Sequence, residues 1–156
     1  MRRMALALLL LAVAPAAADE WGHYANARFG FALDVPPGLA AQGESPSGAG
    51  QDFASPTVTL RVLGEAVDAG GFEAAVGQWR GWQEQQGWNV TFQATTPRAA
   101  EFSARQGARV LDARAISLCG GTALARLQIE YGVADMARMG ALVDRLAQSL
   151  RASGRC

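Results

Sequence analysis

Residues 109–131 read RVLDARAISLCGGTALARLQIEY, and they restrict the fold more than any other stretch. Val110 to Cys119 and Thr122 to Tyr131 flank Gly120-Gly121. Glycine tolerates the positive φ that a two-residue hairpin turn demands, so the pair predicts a long antiparallel hairpin. In its second arm Ala125, Leu127, Ile129 and Tyr131 share a face opposite Arg126, Gln128 and Glu130. That alternation places one face on a core and the other in water or under a polar layer. Asp112 and Arg114 share a face of the first arm and are expected to pair with Arg126 or Glu130 across the hairpin, as ordinary sheet decoration.

Further strands suit a sheet built around this hairpin. FGFALDV (29–35) sets Phe29, Phe31, Leu33 and Val35 on one face, and Pro36-Pro37 ends the run because proline cannot donate to a ladder. Val58, Leu60 and Val62 alternate in TVTLRVLG (57–64), and WNVTFQATTP (88–97) sets Trp88, Val90, Phe92 and Ala94 on one side. EFSAR (101–105) reads as a shorter strand. Glycine, proline and polar residues fill 42–56, a loop with room for a short strand around Phe53.

Two segments change period. Phe72, Val76, Trp79 and Gln83 predict a helix over 71–86, stopped by Gly87, with Trp82 at the edge of the stripe. Residues 134–151 are amphipathic through Met136, Met139, Val143, Leu146 and Leu150. Asp135 is the expected N-cap, Arg145 and Arg151 suit the negative end of the helix dipole, and Gly140 suggests close packing on the sheet. The order strand, loop, strand, helix, four strands, helix predicts an α+β fold. Its expected form is a largely antiparallel sheet of about six strands packed with two main helices, in one domain over 19–156.

MRRMALALLLLAVAPAAA opens the chain with two arginines, an apolar stretch and a run of small residues. That is the pattern of a secretory signal peptide over 1–18, cut near Ala18/Asp19, and too short for a membrane anchor. A periplasmic or secreted location follows, with no membrane span in the mature chain. Without Arg2 and Arg3, 12 basic residues face 14 acidic ones, every basic residue being arginine. Such a balance argues against nucleic acid as a partner. In an oxidising compartment Cys119 and Cys156 are disulfide candidates; bonded, they close a loop worth roughly 3–4 kcal/mol in chain entropy.

No Gly-x-Ser-x-Gly, Cys-x-x-Cys or metal-ligand spacing occurs, and His23 is the single histidine. These absences point to no catalytic residues, no cofactor and no metal. The candidate contact residues are Tyr24, Asn26 and Arg28, ahead of the first strand, with Gln51 and Asp52 from the loop. Trp82 is a candidate aromatic anchor. Asn26 also suits a turn, and Arg28 an ion pair with Asp52. Gly48 and Gly50 make no phosphate loop, because neither Gly-Lys-Ser/Thr nor a helix follows.

YANARFGFALDVPPGL, GAGQDF, TVTLRVLG and a closing helix ending RLAQSLR together resemble a family of exported bacterial proteins, itself similar to the PsbP-like and Ran-binding Mog-type fold. The resembling motifs are strongest at 24–36 and 46–53. Family members carry Asn-Gly-Asp-Gly where this chain has Ser47-Gly48-Ala49-Gly50, so the loop's acidic residue is lost at Ala49. Tyr131 is followed by Gly132 rather than proline. The resemblance implies an antiparallel sheet sandwiched by helices, in a binding or assembly factor without an active site. The expected function is a non-enzymatic accessory domain, monomeric, engaging an envelope protein. Two alternatives remain: a small-molecule binder with a pocket between sheet and helix, floored by Phe29, Phe31 and Tyr131, or a thiol-dependent enzyme using Cys119.

Overall fold

A computed structural model describes residues 20–154. The leader and Cys156 lie outside the described residues. The strands are β1 (Gly22–Asn26), β2 (Phe31–Val35), β3 (Ala40–Glu44), β4 (Gly50–Ala54), β5 (Thr59–Ala66), β6 (Asn89–Thr95), β7 (Ala99–Gln106), β8 (Arg109–Leu118), β9 (Ala123–Gly132) and β10 (Arg151–Ala152). The helices are α1 (Gly71–Gln85) and α2 (Met136–Ser149). Seven strands form one sheet in the order β3-β4-β5-β9-β8-β7-β6, and three form another in the order β1-β2-β10. Every pairing is antiparallel. The α+β class with two helices is as read from the sequence.

Each face of the wide sheet carries its own core. On one face Phe53, Leu60, Val62, Leu127 and Ile129 meet Phe31 and Leu33 of the small sheet, Met139 and Leu146 from α2, and Leu150 just beyond it. On the other, Phe72, Val76 and Trp79 of α1 cover Ala100, Phe102, Ala104, Leu111 and Ala113. Small residues on β7 and β8 let the helix and its two large rings approach closely. Phe72, Val76, Trp79 and Gln83 are the buried residues of α1, as their spacing predicts. Gly87 (φ +90°) ends the helix, its N–H reaching the Glu84 carbonyl at 3.0 Å.

Several local expectations are corrected. The segment 42–56 is no open loop: β3 and β4 form a hairpin whose turn is closed by Ser45, whose Oγ accepts from the N–H groups of Ala49 (2.9 Å) and Gly50 (3.2 Å). β3 is an exposed outer strand and so shows no apolar alternation. The β8–β9 turn spans Cys119 to Thr122 rather than two glycines, with Cys119 itself at φ +54°. In β6 the register shifts between Val90 and Phe92, so Val90 faces Ala104 while Phe92 turns to the opposite side and stands 51% exposed.

The second helix also departs from its reading. Asp135 holds the N-cap position as expected, but with helical backbone and no capping hydrogen bond from its side chain, whose carboxylate takes Arg138 at 2.9 Å instead. Helix α2 stops at Ser149, whose hydroxyl donates to the Leu146 carbonyl (2.7 Å) and accepts the Asp34 N–H (3.0 Å). Arg151 therefore lies in β10, bonded to Asp34, and Arg145 stacks on Trp21 at 4.1 Å instead of meeting the helix end. Nothing packs within 4 Å of where a Gly140 side chain would stand.

Asp112 and Arg114 do not pair with Arg126 or Glu130. Arg114 meets Glu101 (3.4 Å), while Arg126 meets Glu65 and Arg109 meets Glu130. Asp112 accepts from Ser103 and from the Tyr131 hydroxyl (2.6 Å). Burial, reinforced by that bond to a carboxylate, raises the Tyr131 pKa well above its ordinary value. The folded state thus favours the neutral phenol, and this contribution to stability is complete below about pH 10 and lost above it. Denaturant unfolding followed across the alkaline range should show stability falling with a slope of up to about 1.4 kcal/mol per pH unit for this group. Tyr131→Phe should flatten that fall; an unchanged alkaline limb would remove Tyr131 as its source.

Candidate binding surface

The six candidate residues divide between the two faces of the wide sheet. Asn26 is 2% exposed, and its side chain is fully engaged. Its Nδ2 donates to the Gly48 carbonyl (2.9 Å) and the Tyr24 hydroxyl (3.1 Å), while its Oδ1 accepts the Phe29 N–H (2.9 Å). Tyr24 packs edge-on against Phe31 and Phe53. Burial raises its pKa. Arg28 donates to the Ser47 carbonyl and lies over Phe29, so the expected pair with Asp52 is not formed. These three residues clamp the 45–49 turn from the side of the small sheet.

Asp52 belongs instead to Arg61, which faces it across the β4–β5 register and binds it through two nitrogens at 2.9–3.2 Å. This pair stands beside a trough of about 520 Å³ on the α1 face. Two strands build its floor, because Leu63 is opposite Arg126 and Arg61 is opposite Gln128. Arg61, Leu63 and Glu65 rise from β5, and Arg126 and Gln128 from β9; Ala75, Gln78, Trp79 and Trp82 of α1 form the wall. Trp82 is 50% exposed on that wall. Gln51 lines an adjoining cleft with Glu44 and Ser45, which meets the trough at Arg61 and Leu63.

Both arginines of the trough are paired with carboxylates. Arg126 lies over Trp79, its guanidinium carbon 4.8 Å from the ring centre, with one Nη 3.1 Å from Glu65. Its Nε is buried without a hydrogen-bond partner among the described residues. Burial lowers the Arg126 pKa; Glu65 opposes the shift, and the charge of Arg61 adds to it. Beneath the rim, buried Gln83 donates to Gln128 (2.9 Å), which donates to Glu130 (3.1 Å). That relay fixes the amide of Gln128 at the trough's end.

Among the described residues Phe31 and Tyr131 are core rather than the floor of a pocket; a cleft of about 210 Å³ lies between β7, β8 and α2 on their face, and the larger space between sheet and helix opens on the opposite one. The polar face of β9, read as lying in water or under a polar layer, is the trough floor. Glu65 and Gln78 had no distinguishing sequence signal, since their neighbours come from distant segments. Among the described residues no three of His, Cys, Asp or Glu gather as metal ligands. His23 stands by Asp34 at 3.7 Å.

No protein-family model matches this sequence, and no curated protein matches it. Solved structures do match in three dimensions. Cyanobacterial PsbP (CyanoP) from Synechocystis sp. PCC 6803 superposes with a TM-score of 0.62 at 15% identity, covering 92% of this chain and 98% of that one. The fold is PsbP-like. The Ran-binding protein Mog1p of Saccharomyces cerevisiae matches at 0.60 and 11% identity, over 86% of this chain and 96% of its own. LpqN, involved in cell envelope biogenesis of Mycobacterium tuberculosis, matches at 0.52 and 14%, over 88% of each chain. At these identities the PsbP-like frame is shared, and function is argued from the site.

Proposed function

We propose that the mature chain is an exported, non-enzymatic accessory domain that holds a component of the cell envelope in the trough beside α1. The observation that carries this reading is Trp82: a large ring half out of water, on the wall of a trough whose floor is polar rather than core. An exposed aromatic beside convergent polar groups is the usual composition of a binding site. The leader motif supports export, and two matched structures are a Ran-binding protein and a protein involved in cell envelope biogenesis. No described helix is long and apolar enough to cross a membrane. Of the alternatives, a ligand held between sheet and helix gains most, since such a space exists. A Cys119–Cys156 disulfide belongs to this proposal and leaves no thiol for the enzyme reading.

Photo-crosslinking tests the surface without presuming the occupant. A benzophenone amino acid at position 78 or 82, in the exported chain in cells, should give an adduct that the same group at position 136 or 138 on α2 does not. Indistinguishable adduct patterns from both faces would refute the trough as the binding surface.

A further inference from the structure

We infer that the occupant of the trough is a neutral carbohydrate chain, a ligand class that rests on the trough being the binding surface. Charge argues first. Arg61 is held by Asp52 and Arg126 by Glu65, so the two cations of the floor are already neutralised. An acidic ligand would compete with these carboxylates for the arginines and meet Asp68, and a basic one would compete with both guanidinium groups for their carboxylate partners. A ligand without net charge meets neither penalty.

Hydrogen-bonding capacity argues next. Arg61 uses Nε and one Nη on Asp52, which leaves its other Nη; Arg126 uses one Nη on Glu65. Glu65 and Asp68 each keep a carboxylate oxygen beyond the contacts that hold them, and Gln78 has its whole amide. The trough thus offers both free planar donors and free acceptors. Hydroxyl groups, which donate and accept at once, satisfy such a row; a purely apolar ligand would strand it. The C–H face of a sugar ring supplies apolar surface to set against the exposed ring of Trp82.

Main-chain geometry disfavours a polypeptide. Both floor strands are interior: β5 is paired to β4 and β9, and β9 to β5 and β8. Among the described residues no free strand edge faces the trough, so a peptide cannot add by backbone pairing there. Leu63 and Ala66 are the apolar side chains of the floor, too few to receive the stripe of an amphipathic helix. The volume lies within the range of roughly 300–1,000 Å³ of small-ligand sites.

The test is an amide and indole NMR titration of the mature chain with chitotetraose and with maltotetraose, beside a neutral tetrapeptide and a tetragalacturonate. Saturable shifts from a neutral sugar, confined to residues 61–68, 75–82 and 126–128, are expected. Trp82→Ala should weaken that binding at least about tenfold. Gln78→Ala, which removes an exposed amide on the wall, should weaken it severalfold without altering the free spectrum elsewhere. Crosslinking in the trough with no saturable response to either neutral sugar would overturn the ligand class while leaving the surface standing. A response to the tetrapeptide or the acidic sugar alone would overturn it too. Failure of the crosslinking and of every titration would remove the surface itself.

Discussion

Gly50→Ala should cost about 3 kcal/mol or more and lower the thermal midpoint by roughly 10 °C or more. Gly50 faces Leu63 across the β4–β5 register, and its backbone φ is unremarkable. The constraint is space: a Cβ there would stand 1.9 Å from the Val62 carbonyl oxygen and 2.8 Å from the Leu63 Cα. Both obstacles are main chain, so no side-chain rotation relieves them, and the strand must slide or part. Gly140→Ala is the counterpart, since among the described residues nothing lies within 4 Å of its Cβ position on the exposed face of α2. It should stabilise the chain by about 1 kcal/mol. Circular-dichroism melting of both variants decides; a Gly50→Ala midpoint equal to wild type would disprove the close approach.

Asn26→Ala is expected to cost about 2–4 kcal/mol. It strands three groups at once: the Gly48 carbonyl, the Phe29 N–H and the Tyr24 hydroxyl. Asn26→Asp separates the roles, because it keeps the acceptor for Phe29 and replaces the donor to Gly48 with a carboxylate oxygen. Burial favours the protonated form of that carboxyl, so the variant should lie furthest below wild type at neutral pH and recover as pH falls. Urea unfolding of the two variants reads both effects. Wild-type stability in Asn26→Ala would mean that the residue does not hold the turn, and would return it to the list of contact residues.

Where an element buries one clear stripe, its residues announce it. The spacing of Phe72, Val76, Trp79 and Gln83 marked the buried face of α1, and that of Ala125, Leu127, Ile129 and Tyr131 the core face of β9. Strand β3 hid because all five of its residues are exposed, and β10 because two residues carry no period. Phe92 was misplaced by a bulge, which shifts the alternation by one and leaves no mark in composition. The trough depends on Leu63 standing opposite Arg126, residues from segments separated by a helix and three strands. Trp82 alone hinted at it, by lying off its helix's stripe. Arginine for every positive charge also acquires a structural use: Arg28, Arg109, Arg126 and Arg145 each lie over an aromatic ring, a contact that a planar guanidinium makes well.

The small sheet has its own implication for how the chain comes to be folded. Strand β2 sits between β1, at the start of the described chain, and β10, near its end, and Asp34 is bonded to Ser149 and Arg151. These contacts bridge more than a hundred residues, so their loop-closure entropy must be met before they return anything. Until the chain past α2 has emerged, β2 lacks its partner β10 and the core beneath it lacks Leu150. A chain made from its N-terminus therefore completes this layer only after nearly all of the described residues are present, which sets the small sheet late in the order of assembly.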